Sequence, residues 1–138
     1  MRIAISGAHL TGKTTLAVQL ASQLKGYSLL EEPYYELLEQ GHEFAELPGI
    51  EDFEMQLDES LNRIIKSGEN TIFDRCPLDF LSYIQAHKDA DFFDIDDRKE
   101  IIDKAMNQLD IVVFVPVENP DIIDSSHSEY PELRDEVD

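Results

Sequence analysis

Short apolar runs alternate with longer stretches of helical spacing along this chain. Ile3 to Ser6 is rich in β-branched residues and stops at Gly7, the pattern of a strand buried on both faces of a parallel sheet. From Thr14 to Leu24, Leu16, Leu20 and Leu24 recur every fourth position with Ala17 and Ala21 beside them. This predicts a helix packed closely on the sheet and ended by Gly26. Tyr27 to Leu30 reads as a second strand whose exit is polar, through Glu31, Glu32 and Pro33. Pro33 to Gly49 holds a short helix and a loop, broken at Gly41 and at Pro48-Gly49. Phe53, Leu57, Leu61, Ile64 and Ile65 predict a long helix over Ile50 to Ser67, with Gly68 at the C-terminal cap position. Thr71 to Asp74 is a third strand ending in an acid, and Pro77 opens the next helix through Ile84. Lys99 to Leu109 gives one more helix, and Ile111 to Val115 a fourth strand closed by Pro116. Beyond it no β-branched run remains, so no fifth strand is predicted. The order β-α-β-α-β-α-β, with strands buried on both faces, predicts an α/β fold with a parallel sheet.

With 138 residues the chain is one domain able to bury a core. Its 11 Lys and Arg against 30 Asp and Glu leave a formal charge of −19. That argues against nucleic-acid or anionic-membrane partners, whose phosphates need a broad basic surface. A small basic pocket is still compatible with it. Cys76 is the only cysteine, which excludes an internal disulfide framework and points to a reducing compartment. No signal-peptide core or run of 18 apolar residues is present, so a soluble cytoplasmic protein is expected.

Gly7-Ala8-His9-Leu10-Thr11-Gly12-Lys13-Thr14 fits G-x-x-x-x-G-K-[ST] between a predicted strand and a predicted helix. Gly7 and Gly12 let the backbone wrap a phosphate with its N–H groups, and the helix beginning near Lys13 offers its positive end. Lys13 supplies a mobile cation, the Thr14 hydroxyl a magnesium ligand, and Thr15 further phosphate contacts. ATP and Mg2+ are the implied ligands.

With this loop the chain resembles the P-loop kinase family, and the resemblance extends past the loop. Glu31-Glu32-Pro33 looks like the Glu-Pro element of deoxynucleoside kinases, and Asp74-Arg75 like their Glu-Arg-Ser or the Asp-Arg of thymidylate kinases. The resemblance implies Glu32 as the base for the acceptor hydroxyl, with Glu31 the alternative. It implies Asp74 as a carboxylate holding magnesium through water, and Arg75 as a guanidinium aimed at phosphate oxygens. Phe53-Glu54-Met55-Gln56 is similar to the Phe-x-x-Gln whose glutamine meets the nucleobase, so Gln56 is expected either at the substrate or on an ordinary helix face. The longer run Asp74 to Phe80 resembles small P-loop ATPases or kinases related to ribosylnicotinamide kinase domains. The family's three-layer fold implies the strand order 2-3-1-4. The implied reaction moves the γ-phosphoryl of ATP to a hydroxyl of a small nucleoside-like molecule. A regulatory nucleotide-binding ATPase, or an inactive fragment that keeps the fold, is the alternative.

Family members continue into a fifth strand and a final helix, so the domain is expected to be truncated at its C-terminus, with residues 118–138 a lid or tail. Arg134 there would reach adenine or phosphate, or else lie on an acidic surface. Asp79 is expected to cap the helix beside it, and Cys76 to fill space near the site. Asp89 to Asp97 lacks the glycine that a calcium loop requires and reads as a solvated loop, with Asp96 or Asp97 capping the following helix. The four histidines show no ligand spacing.

Overall fold

The computed structural model describes residues 1–8 and 11–116. Within them, β1 (Arg2–Ser6), β2 (Ser28–Leu30), β3 (Thr71–Asp74) and β4 (Ile111–Phe114) form one parallel sheet in the order β2-β3-β1-β4. This is the expected α/β fold and strand order. The helices between them are α1 (Lys13–Gln23), α2 (Pro33–Glu39), α3 (Ile50–Lys66), α4 (Pro77–Ala86) and α5 (Lys99–Gln108).

Alternation along the two central strands divides the core. Ile3, Ile5 and Ile72 face α1 and pack with Ala17 and the partly buried Leu16, Leu20 and Leu24. Ala4 and Phe73 face the other way, into a larger cluster built by α3, α4 and α5 from Leu57, Leu61, Ile64, Phe80, Ile84, Ile102 and Ala105. The result is three layers, with the sheet in the middle.

Burial on both faces, expected of every strand, holds only for β1 and β3. From Ile3 to Ser6 and from Thr71 to Asp74 each side chain is buried, whereas Ile111, Val112 and Phe114 of β4 are at least 40 % exposed. Among the described residues β2 and β4 are the edges of the sheet, and only Val113 of β4's own side chains packs against the α1-side cluster. Two helix ends also differ from expectation. Gly68 does not take the left-handed conformation. Instead α3 stops at an extended Ser67 whose hydroxyl donates to the Ile64 carbonyl at 2.6 Å, and the left-handed residue is Asn70. Neither Asp96 nor Asp97 caps α5. Asp94 caps a 3-10 turn over Ile95–Arg98, which runs directly into α5 and leaves it no side-chain cap. No described helix is long and apolar enough to cross a membrane.

Parallel pairing brings the C-terminal ends of all four strands to one edge. Ile5 is level with Asp74, and Ser6 with Phe114, so the phosphate loop, Glu31-Glu32 and Asp74-Arg75 leave the sheet side by side. Arg134 and residues 118–138 lie outside the described residues, as does any further strand there.

Candidate active site

The loop leaves β1 at Gly7, where φ is +146° and an added Cβ would clash with the Val115 carbonyl oxygen. The backbone of the chain just after β4 occupies that space because the Val115 N–H donates to the Ser6 carbonyl at 2.8 Å. Gly7→Ala is therefore expected to destabilise the fold by about 3 kcal/mol, from the clash and the positive φ together. A drop in the denaturation midpoint checks it.

At the other end of the loop Gly12 stands at the N-cap of α1 with φ +90°. It carries no side chain to cap the first turn, and no acid lies in that turn, so the positive dipole end of α1 is not offset by a capping side chain or a first-turn carboxylate. Lys13 is buried, with its Nζ donating to the Ala8 carbonyl and to Thr11 Oγ1 at 3.2 Å. The cation is thus folded into its own loop. Burial, and then the neighbouring Arg75 guanidinium, lower its pKa from 10.5 to about 7, against the pull of Asp79, Glu32 and Asp74.

The sign of that shift fixes a pH dependence. Between pH 7 and 10.5 the unfolded chain holds the Lys13 proton and the folded chain releases it, so this residue's contribution to stability rises with pH across the window. Phosphate beside Nζ favours the charged form. Nucleotide binding above pH 7 is therefore expected to take up a proton, read as a buffer-dependent heat in calorimetry.

Thr14 Oγ1 donates to Asp74 Oδ2 at 2.8 Å. The other carboxylate oxygen, Oδ1, is buried without a hydrogen-bond partner among the described residues. Burial raises the Asp74 pKa, the Thr14 hydrogen bond opposes that, and the charge of Glu32 adds to it. A hydroxyl facing a carboxylate with a spare oxygen fits a magnesium ion that keeps most of its water and meets the protein at few points. Thr15 is exposed on α1.

Glu32 occupies the N-cap position of α2 with Pro33 at N1, but its side chain does not cap that helix. It turns to Arg75, whose Nε donates to Glu32 Oε1 at 2.8 Å. The Arg75 Nη1 donates to the Gly7 carbonyl at 3.1 Å, so the arginine pairs with Glu32 and not with its neighbour Asp74. Arg75 also has a positive φ of 97°. Burial lowers its pKa, but Tyr83, Glu32 and Asp79 outweigh that and hold it above the ordinary arginine value. Glu31 next door is exposed. Tyr35, half exposed on α2, has its hydroxyl pKa raised chiefly by the Glu32 charge. Gln56 is half-buried on α3 and its Nε2 approaches the Asp52 carbonyl of its own helix at 3.4 Å. Cys76 is fully buried, and burial pushes its thiol up to about 12.

Two further buried groups stand at this edge, Arg63, which no motif marks, and Asp79, which lies in the Asp74 to Phe80 run. Arg63 of α3 donates from Nη1 to the Glu31 carbonyl and from Nη2 to the Asp74 carbonyl at 3.0 Å. It ties together the ends of the strands that bear Glu32 and Asp74. Burial lowers its pKa to about 10. Asp79 accepts from Cys76 N at 2.9 Å, as a helix cap, but also from Ser6 Oγ at 2.7 Å and Gly7 N at 2.9 Å. The apolar spacing of α3 runs unbroken through Leu57, Leu61 and Ile64, so no local sequence signal marked Arg63, which is buried beside it.

A family model described as an AAA domain matches residues 2–138. The chain belongs to this AAA domain family. Among solved structures, deoxyadenosine kinase from M. mycoides with products dCMP and dCDP is 28 % identical, with a TM-score of 0.58 over 87 % of this chain and 65 % of that one. The same kinase with bound dATP is 25 % identical, with a TM-score of 0.54 over 87 % and 67 %. NadR protein in complex with NR matches at 20 % identity and a TM-score of 0.64, over 99 % of this chain and 39 % of that one, and speaks to the fold alone. The AAA domain chain therefore spans less than two thirds of the first of these kinases and well under half of NadR. No match was found among curated proteins. The resemblance to P-loop kinases thus rests on the family match, the fold and the deoxyadenosine kinase likeness together.

Proposed function

We propose that this AAA domain protein is an ATP-dependent kinase, acting as one P-loop domain in the cytoplasm, that phosphorylates a hydroxyl of a small nucleoside-like acceptor. The observation carrying this is the pairing of Glu32 with Arg75 at 2.8 Å beside a phosphate loop whose Lys13 has the Arg75 guanidinium as a charged neighbour. A phosphate-binding loop alone serves hydrolases equally well. A carboxylate held at the second strand end, outside the loop, gives an acceptor hydroxyl somewhere to send its proton. The likeness to a deoxyadenosine kinase supports a nucleoside-like acceptor.

In this reading Lys13 leaves the Ala8 carbonyl and Thr11 for the β- and γ-phosphates, becoming charged as it does so. Thr14 and Asp74 would hold Mg2+, which when bound neutralises charge on the phosphates. Glu32 orients the acceptor hydroxyl and takes its proton as the new O–P bond forms and the bond from Pγ to the ADP oxygen breaks. Arg75, released from Glu32 by that protonation, turns its guanidinium to the transferring group. Positioning and charge neutralisation carry the catalysis.

The test is ADP formation from Mg-ATP with and without a panel of nucleosides. ADP that depends on one class of nucleoside supports the kinase. Equal ADP and phosphate release in its absence assigns the site to a hydrolase instead.

A further inference from the structure

Gly7 is the peptide at which the phosphate loop leaves the sheet, and it is gripped on three sides. Its N–H goes to Asp79 Oδ1, its carbonyl accepts from Arg75 Nη1, and its Cα faces the Val115 carbonyl. The second oxygen of the same carboxylate holds the N–H of Cys76, the residue after Arg75. Arg75 has a positive φ, a conformation that is costly for a non-glycine residue and persists only where its surroundings hold it. One buried side chain thus fixes both the start of the loop and the peptide following the strained arginine. Ser6 Oγ, 2.7 Å from Oδ1, completes a set of three donors on a carboxylate only 4 % exposed.

We propose that Asp79 is a positioning residue that locks the phosphate loop to the Arg75 turn, so that phosphate affinity and the placing of Arg75 depend on it. This deepens the kinase reading and rests on it. A helix cap alone would need only the Cys76 bond. The two further donors come from the last residue of β1 and the first of the loop, 73 and 72 positions away in sequence, and serve no cap. Asparagine cannot replace the carboxylate: whichever way its amide turns, an NH2 faces a backbone N–H, and either Gly7 or Cys76 loses its acceptor in a buried place.

The experiment measures the affinity of the whole chain for inorganic tripolyphosphate and for Mg-ATP by calorimetry, with melting followed by circular dichroism. Asp79→Asn, folded at the measuring temperature, is expected to bind both ligands about 10–100-fold more weakly, the range found when a supporting shell is removed. Ser6→Ala keeps the carboxylate and both backbone bonds, so it is expected to fold and to lose a smaller, several-fold part of the same affinity. Where turnover is measurable, kcat falls in both variants while the KM for the acceptor stays. A purely structural cap would lower the melting temperature and leave the affinity of the folded protein unchanged. If Asp79→Asn does not fold, Ser6→Ala alone decides: weaker tripolyphosphate binding supports the positioning role, and wild-type binding overturns it. Wild-type affinity in folded Asp79→Asn overturns the role while leaving the kinase reading intact. A wild-type protein that binds neither ligand overturns both.

Discussion

Lys13→Met is expected to abolish phosphoryl transfer and at the same time to make the protein more stable. The transfer places developing charge on the phosphate oxygens, and a preorganised cation at that point is worth roughly 10²–10³ in kcat. Met has a similar length and no charge, so kcat should fall at least that far. Stability moves the other way because folding buries the Lys13 amine, with Arg75 as a neighbouring cation, and so penalises its charged form. Met removes that penalty, offset in part by the Ala8 carbonyl losing its donor. A net gain of about 1 kcal/mol at pH 7 is expected, measured as a higher denaturant midpoint. The gain should shrink as pH rises toward 10.5, because wild-type Lys13 is then neutral in the unfolded chain as well. A variant that loses both activity and stability would contradict a strained, functional lysine.

Glu32→Gln is expected to lower kcat by about 10²–10⁴, the range for losing a positioned general base, with ATP affinity close to wild type. Glu32 stands at the start of α2 and outside the phosphate loop, so the loss belongs in kcat. The amide can still accept a hydrogen bond from Arg75, which keeps the fold and isolates the proton transfer. Glu31→Gln is the companion measurement. Glu31 is exposed, and Arg63 holds it only through its backbone carbonyl, so its kcat should remain near that of the wild type. A large loss at Glu31 and none at Glu32 would exchange their roles.

Much of this architecture was legible in the residues. The Ile3 to Ser6 and Thr71 to Asp74 runs marked the two strands that are buried on both faces, and the spacing of glycines around Lys13 marked the loop between β1 and α1. The strand order followed from the family likeness. Local pattern read less well where long-range packing decides. Ile111 to Val115 is the most β-like run, yet β4 is an edge with exposed Ile111, Val112 and Phe114, because apolar composition does not say which strand will be central. Gly68 carried the usual signature of a helix end, but Ser67 supplied the closing hydrogen bond.

The site divides in the same way. Lys13, Thr14, Glu32, Asp74 and Arg75 are the residues the motifs point to, and they stand at helix starts and strand ends along one edge of the sheet. The motifs do not give their pairings: that of Arg75 with Glu32 spans 43 positions, and that of Thr14 with Asp74 spans 60. Nothing in either local sequence specifies such a distance. Asp79 read as a cap because that is the commoner role for an aspartate beside a helix start, and its bonds to Ser6 and Gly7 become visible only when β1 and α4 are placed side by side.

Phosphorus NMR of the protein with Mg-ATP and a nucleoside panel tests the kinase reading most directly. The expected result is a phosphomonoester resonance growing in step with ADP, only when an acceptor is present and lost in Lys13→Met and Glu32→Gln. Growth of inorganic phosphate alone, at the same rate with or without acceptor, would contradict it.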